Sequence, residues 1–232
     1  MKIGIIVFPS TNCDFDVEHV LRDIVKVRAE RIWYKDRGKV KDCDAIVIPG
    51  GFSYGDYLRA GAIAAKMPMM GDIKEIAGWG TPILGICNGF QILCESGLLK
   101  GSLSVNTSTK FICEWVNLMV ENSKNEFTKF YKKGHVIRIP INHMEGRYVA
   151  DKETLKSLNE NSQILFRYCN PEGKTTPQSN PNGSLENIAG ICNKEGNIVG
   201  LMPHPERASE NILGGEDGLK MFLGMVDALE DD

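Results

Sequence analysis

Two residues carry most of the chemistry that can be read from this chain, one cysteine and one histidine. Cys87 stands in Gly85-Ile86-Cys87-Asn88-Gly89, after the apolar run Pro82-Ile83-Leu84 and before Phe90 to Leu93, which begin a helical pattern. A tight strand-to-helix turn strains its central residue and lifts that side chain above the sheet, while flanking glycines let strand and helix approach. A sulfur so placed lies at a helix N-terminus, where the positive dipole end favours thiolate. The backbone N–H of Asn88 points toward the same space and can donate to an oxyanion. Taken alone, the pattern fits a packed core cysteine equally well. The other six cysteines, at 13, 43, 94, 113, 169 and 192, have no such setting, and Cys94 follows the apolar pattern of the next helix.

A thiolate nucleophile needs a histidine to take its proton and to protonate the leaving amine. Of the four, His19, His135, His143 and His204, the last stands in Met202-Pro203-His204-Pro205-Glu206, directly after an apolar strand. The prolines fix the backbone on both sides of the ring. Glu206 can reach the far imidazole nitrogen, set the tautomer and stabilise the imidazolium. Alone this is a loop histidine beside a carboxylate; with Cys87 it completes the candidate triad Cys87–His204–Glu206. Acyl transfer wants a second oxyanion donor, and the Gly50-Gly51 turn after the apolar Ala45-Ile46-Val47-Ile48 supplies one through the N–H of Gly51. Glycine tolerates both peptide orientations, so this turn is also the expected loose element. A flipped peptide would leave the hole one donor short until a partner docks.

The elements that must hold these groups follow from periodicity. Ile3 to Phe8, Ile32 to Tyr34, 45–48 and 82–86 read as short buried strands, separated by helical patterns over Val17 to Val25 and 72–79. That alternation implies a mostly parallel sheet with helices on both faces. Beyond Gly101, 111–121 and 135–141 alternate as antiparallel strands do; 153–159 reads as a helix, 163–168 as a strand and 170–184 as loop. Ile188 to Ile191 and Ile198 to Met202 form an expected hairpin, and 217–229 a closing helix. With no repeat or linker, residues 1–232 read as a single α/β domain: a three-layer, mostly parallel sheet plus a smaller antiparallel section.

Composition narrows the function. The 232 residues are 42% apolar with a net charge of -3, a globular balance that argues against a nucleic-acid surface. No cysteines pair as C-x-x-C, so no metal site is expected. No run approaches the ~20 apolar residues that span a bilayer, and the N-terminal apolar run is too short for a signal peptide. The expected location is cytoplasmic, with reduced cysteines and with chance glycosylation sequons at Asn106 and Asn182.

In order, the motifs resemble a family. Gly-Gly after a strand, Gly-x-Cys-x-Gly-x-Gln at an elbow and a late His-Pro-Glu are similar to class I, triad-type glutamine amidotransferases. Phe8 to Asp14, Gly50 to Gly61, Gly85 to Gln91, Glu145 to Tyr148, Asn180 to Ser184 and Met202 to Arg207 resemble the glutaminase subunits of phosphoribosylformylglycinamidine synthases, over essentially the whole chain. The resemblance implies Cys87 as nucleophile, His204 as acid/base, Glu206 as its orienter, backbone donors at Gly51 and Asn88, and Gln91 as a contact for the amino-acid end of L-glutamine. It further implies a large synthetase subunit carrying ATP and magnesium, none being expected on this chain, and in many bacteria a small bridging subunit. The chain departs from the family pattern at Ser10, where Gly is commoner, and at Met144, where the family has His-Gly-Glu-Gly-Arg-Tyr. A P-loop ending in Gly173-Lys174-Thr175 would need glycine at Tyr168, so none is expected. A glutaminase serving another synthase, a peptidase or deglycase relative, and a non-catalytic interaction subunit are the rival readings.

Overall fold

The computed structural model describes residues 1–230. Its strands are β1 (Lys2–Val7), β2 (Arg28–Trp33), β3 (Ala45–Ile48), β4 (Ile83–Ile86), β5 (Ser102–Ser104), β6 (Ile112–Val120), β7 (Val136–His143), β8 (Arg147–Val149), β9 (Ile164–Cys169), β10 (Ile188–Cys192) and β11 (Ile198–Leu201). The α-helices are α1 (Asp14–His19), α2 (Met69–Gly78), α3 (Asn88–Glu95), α4 (Lys152–Glu160) and α5 (Leu219–Asp227). Most strands and helices follow the expected boundaries. The apolar pattern of 17–25 starts as α1 and then widens into a π-helical turn over Val20–Ile24, closed by Val25 N–H donating to the Val20 carbonyl.

Nine strands of the described residues form one sheet in the order β2-β1-β3-β4-β11-β10-β9-β6-β7. From β2 to β11 neighbours run parallel. From β11 to β7 they run antiparallel. The expected antiparallel section is therefore continuous with the parallel one, joined to it through the β10–β11 hairpin. β3 and β4 are buried along their whole length, as parallel strands covered on both faces must be. Along β7, Ile137, Ile139, Ile141 and His143 are buried and the residues between them are not, the mark of a half-exposed strand. β5 and β8 pair in a separate small sheet that three-residue strands leave invisible to periodicity.

One apolar cluster runs from Val17 and Leu21 through both sections of the sheet to Phe222 and Met225 on α5. The loops after β1, β3, β4 and β11 all leave the carboxyl ends of parallel strands. In α/β sheets that edge is where ligands bind.

Candidate active site

Cys87 sits between β4 and α3 with φ 49° and ψ -103°, a strained conformation for a residue with a side chain. Strain of this kind costs on the order of 1–3 kcal/mol and persists where the surroundings over-determine it. Here the Cys87 N–H donates to the Leu201 carbonyl at 2.8 Å, and the Cys87 carbonyl accepts from the Gln91 N–H at 3.1 Å. Close approach fixes the next residue but one: a Cβ on Gly89 would lie 1.9 Å from the Ile48 carbonyl oxygen, so α3 starts packed on the end of β3. The Cys87 thiol is directed at the Asn142 carbonyl, 3.7 Å away.

His204 and Glu206 are buried, with 1% and 2% exposure, and His204 Nδ1 joins Glu206 Oε1 at 2.6 Å. The His204 N–H donates to the Pro140 carbonyl at 2.8 Å, anchoring the loop after β11 to β7. His204 Nε2 has no hydrogen-bond partner, and Cys87 is its electrostatic neighbour. Burial works against charge on this imidazole, but Glu206, then Cys87 and Cys13, outweigh it and hold its pKa well above the ordinary value. Turning the Cys87 thiol from the Asn142 carbonyl to that nitrogen would complete the chain Cys87–His204–Glu206. In unliganded sites such bonds are commonly loose.

Gly51 has φ 143°, and a Cβ there would lie 2.7 Å from Asn12 N, so glycine is required. Its peptide is held on the carbonyl side. The Gly50 carbonyl accepts from the N–H groups of Asn12 (3.4 Å) and Cys13 (3.2 Å), and Phe52 N–H donates to the Ser10 carbonyl at 3.1 Å. A flip would break both bonds to Gly50, each worth about 1 kcal/mol net and more if left unmade. In a trans peptide the Gly51 N–H points opposite to the Gly50 carbonyl, away from the 10–13 loop. It makes no hydrogen bond among the described residues, and neither does the N–H of Asn88, at the start of α3 where no intrahelical acceptor exists.

The Gln91 side chain is buried; Oε1 accepts from Asn88 Nδ2 at 2.9 Å and Nε2 donates to the Glu145 carbonyl at 2.6 Å. It ties the elbow helix to the 143–147 turn. Asn88 extends that tie, its Oδ1 accepting from Ser53 N–H at 3.1 Å and its Nδ2 approaching Asp56 Oδ1 at 3.4 Å. Burial, then the charge of Glu145, pushes the Asp56 carboxyl up to about 6. The other two motifs of the resemblance serve as scaffold: Gly146 N–H donates to Asn106 Oδ1, Asn182 Nδ2 to the Gly146 carbonyl, and Tyr148 N–H to Ser184 Oγ.

Both departures have structural settings. Ser10 adopts φ 67°, a left-handed conformation that glycine takes freely and that costs another residue on the order of 1–2 kcal/mol. Met144 keeps a negative φ and its side chain is 46% exposed, so it fits without strain.

Among the remaining cysteines, Cys43, Cys169 and Cys192 are buried and pushed up to about 11 by that burial. Burial, then Glu95, raises Cys94 far above its ordinary value, and Cys113 is exposed. Cys13 breaks the expectation that only Cys87 has a functional setting: its sulfur lies beside His204 and Glu206. Nothing in its local sequence pointed there, since the contact spans most of the chain. Two surface hollows around Asn197 and Gly80 lie at the opposite edge of the sheet and hold none of these groups.

Fold and site together define a triad-type glutamine amidotransferase. The model of the CobB/CobQ-like glutamine amidotransferase domain matches residues 1–215. The chain is 57% identical to phosphoribosylformylglycinamidine synthase subunit PurQ of Methanosarcina acetivorans, over 100% of both chains, and 51% identical to that of Aquifex aeolicus, over 97% and 99%. It superposes on a chain of PurLQS from Thermotoga maritima with a TM-score of 0.86 and 45% identity, covering 98% of each. The chain belongs to the PurQ family of glutamine amidotransferases. No helix among the described residues is long and apolar enough to cross a membrane.

Proposed function

We propose that the chain is the glutaminase subunit of a phosphoribosylformylglycinamidine synthase, with Cys87, His204 and Glu206 as its triad. It hydrolyses L-glutamine to glutamate and ammonia. The ammonia passes to a large synthetase subunit that converts formylglycinamide ribonucleotide to formylglycinamidine ribonucleotide in purine biosynthesis. ATP and magnesium bind that subunit, a small bridging subunit completes the complex, and the setting is cytoplasmic. The observation that carries the reading is a strained thiol beside a buried His–Glu pair, with two uncommitted backbone N–H groups at the same sheet edge. Relatives at 57% identity favour this synthase over a glutaminase serving another acceptor.

The chemistry follows from the geometry. His204 Nε2 takes the Cys87 proton, and the sulfur adds to the amide carbon of glutamine. The carbonyl oxygen becomes an oxyanion, accepting from the N–H groups of Gly51 and Asn88. The imidazolium, steadied by Glu206, returns its proton to the nitrogen; the C–N bond breaks, ammonia leaves and a thioester remains. Water, deprotonated by His204, adds to the thioester through the same oxyanion and releases glutamate and the thiol.

The test is reconstitution with the large subunit, any bridging subunit, ATP, magnesium and formylglycinamide ribonucleotide. Glutamine should then support formation of formylglycinamidine ribonucleotide with one glutamate released per product. Product formation from ammonium salts but not from glutamine would contradict the assignment.

A further inference from the structure

Cys13 lies where the two working parts of the site meet. Through its backbone, its N–H donates to the Gly50 carbonyl and so helps to aim the Gly51 N–H away from the 10–13 loop. Through its side chain, its sulfur, a ring nitrogen of His204 and an oxygen of Glu206 all fall within 4.8 Å of one another. A Cβ built on Gly50 would stand 2.8 Å from His204 Cε1 and 3.1 Å from the Cys13 sulfur, so ring edge and sulfur sit side by side over the Gly50 backbone. Cys13 is 2% exposed.

Thiol, imidazole and carboxylate are metal ligands by type, but the surroundings of the sulfur speak against a metal. Arg207 Nη2 donates to it at 3.2 Å, and its own S–H donates to Asn12 Oδ1 at 3.3 Å. The ring Nδ1 is already joined to Glu206. A guanidinium on the sulfur repels a cation, and burial pushes the Cys13 thiol up, against the thiolate that a metal needs. Arg207 is itself held by Asp16 at 3.4 Å and passes 4.0 Å from Glu206 Oε1. The cluster is a hydrogen-bonded support.

We infer that Cys13 is a positioning residue for glutamine hydrolysis, registering the oxyanion donor and the acid/base against each other. The inference rests on the reading of Cys87, His204 and Glu206 given above. His204 must keep Nδ1 on Glu206 and Nε2 toward the sulfur of Cys87 while it gains and loses a proton. A ring bounded by Gly50 and by a thiol that Arg207 and Asn12 hold in place has one seat. Without the thiol, Arg207 keeps Asp16 but loses its tie to the site and the ring loses a wall, while the backbone N–H that anchors Gly50 remains. The substitution therefore isolates the side-chain half of the role.

The test is steady-state glutaminase kinetics in the reconstituted complex, comparing wild type with Cys13→Ala, Cys13→Val and Cys13→Ser. Cys13→Ala should lower kcat roughly tenfold, leave KM for glutamine within about twofold and keep the thermal midpoint near wild type. Cys13→Ser, which restores a donor and an acceptor, should recover most of the loss. Cys13→Val fills the space without an acceptor and decides the matter where the alanine variant does not fold: a fall in kcat supports the inference. Wild-type kcat in a folded alanine or valine variant overturns it, as does a loss carried by KM or an equal loss in the serine variant. Cys87→Ala serves as reference. Wild-type turnover in that variant would remove the reading of the triad itself, whatever residue 13 does.

Discussion

In the parallel section of the sheet, β1, β3, β4 and β11 end in loops that carry the proposed working groups Gly51, Cys87 and His204, with Cys13 beside them. In the antiparallel section, β7 contributes to the same site through main-chain carbonyls, Pro140 holding the His204 N–H and Asn142 receiving the Cys87 thiol. The first section depends on residue type at a few positions, the second on the placement of a strand. Substitutions in the parallel section should therefore act on turnover, whereas those on β7 should act on stability and reach the chemistry through backbone shifts.

The largest expected effect is at His204. His204→Ala should cost at least ~10²–10⁴-fold in kcat, because in the proposed mechanism that group moves every proton. Glu206→Gln should cost less, since the ring stays bounded by Gly50 and the Cys13 sulfur while the Pro140 carbonyl holds the His204 backbone. Near-normal activity in both variants would place the catalytic base elsewhere and erase the contrast between the two sections.

His143, the last residue of β7, sharpens the comparison from the other side. It is buried with both ring nitrogens unpartnered, and burial, then the charge of His204, pushes its pKa down to about 3. The unfolded chain takes up a proton below the ordinary imidazole value of ~6.5, while the folded chain does not. The stability tied to this group is thus complete above ~6.5 and lost as pH falls from there toward 3, at no more than about 1.4 kcal/mol per pH unit. Thermal or denaturant unfolding of His143→Leu should show a shallower decline over that range, with stability at neutral pH no lower than wild type. An unchanged slope would mean that the ring reaches solvent or a partner in the folded chain.

How much of this was legible depends on what kind of group does the work. Cys87, His204 and Glu206 stand in sequence settings that ordinary packing does not require, and Gly51 needs a positive φ, so these positions were readable. Gln91 was readable as special, but its tie to the Glu145 backbone was not, because that partner comes from a distant turn. The Pro140 and Asn142 carbonyls were out of reach, since every residue has a carbonyl and only the register of β7 aims these. Cys13 looked like an ordinary core cysteine; its contact with His204 exists only once β1 and β11 lie in one sheet. The two N–H groups that hold the Gly50 carbonyl were out of reach for the same reason, coming from the loop after β1. On the fold side, β5 and β8 are too short to show a period, whereas β3 and β4 were plain because each is apolar throughout.

The central claim is that the strained elbow makes one cysteine the nucleophile toward glutamine. Its most direct test is reaction with an electrophilic glutamine analogue followed by peptide mass mapping. The account predicts one adduct, on Cys87, with Cys13, Cys43, Cys94, Cys113, Cys169 and Cys192 unmodified and glutaminase activity lost in step with labelling. An adduct on Cys13, Cys94 or Cys113 in place of Cys87, or full labelling of Cys87 with turnover intact, would contradict it.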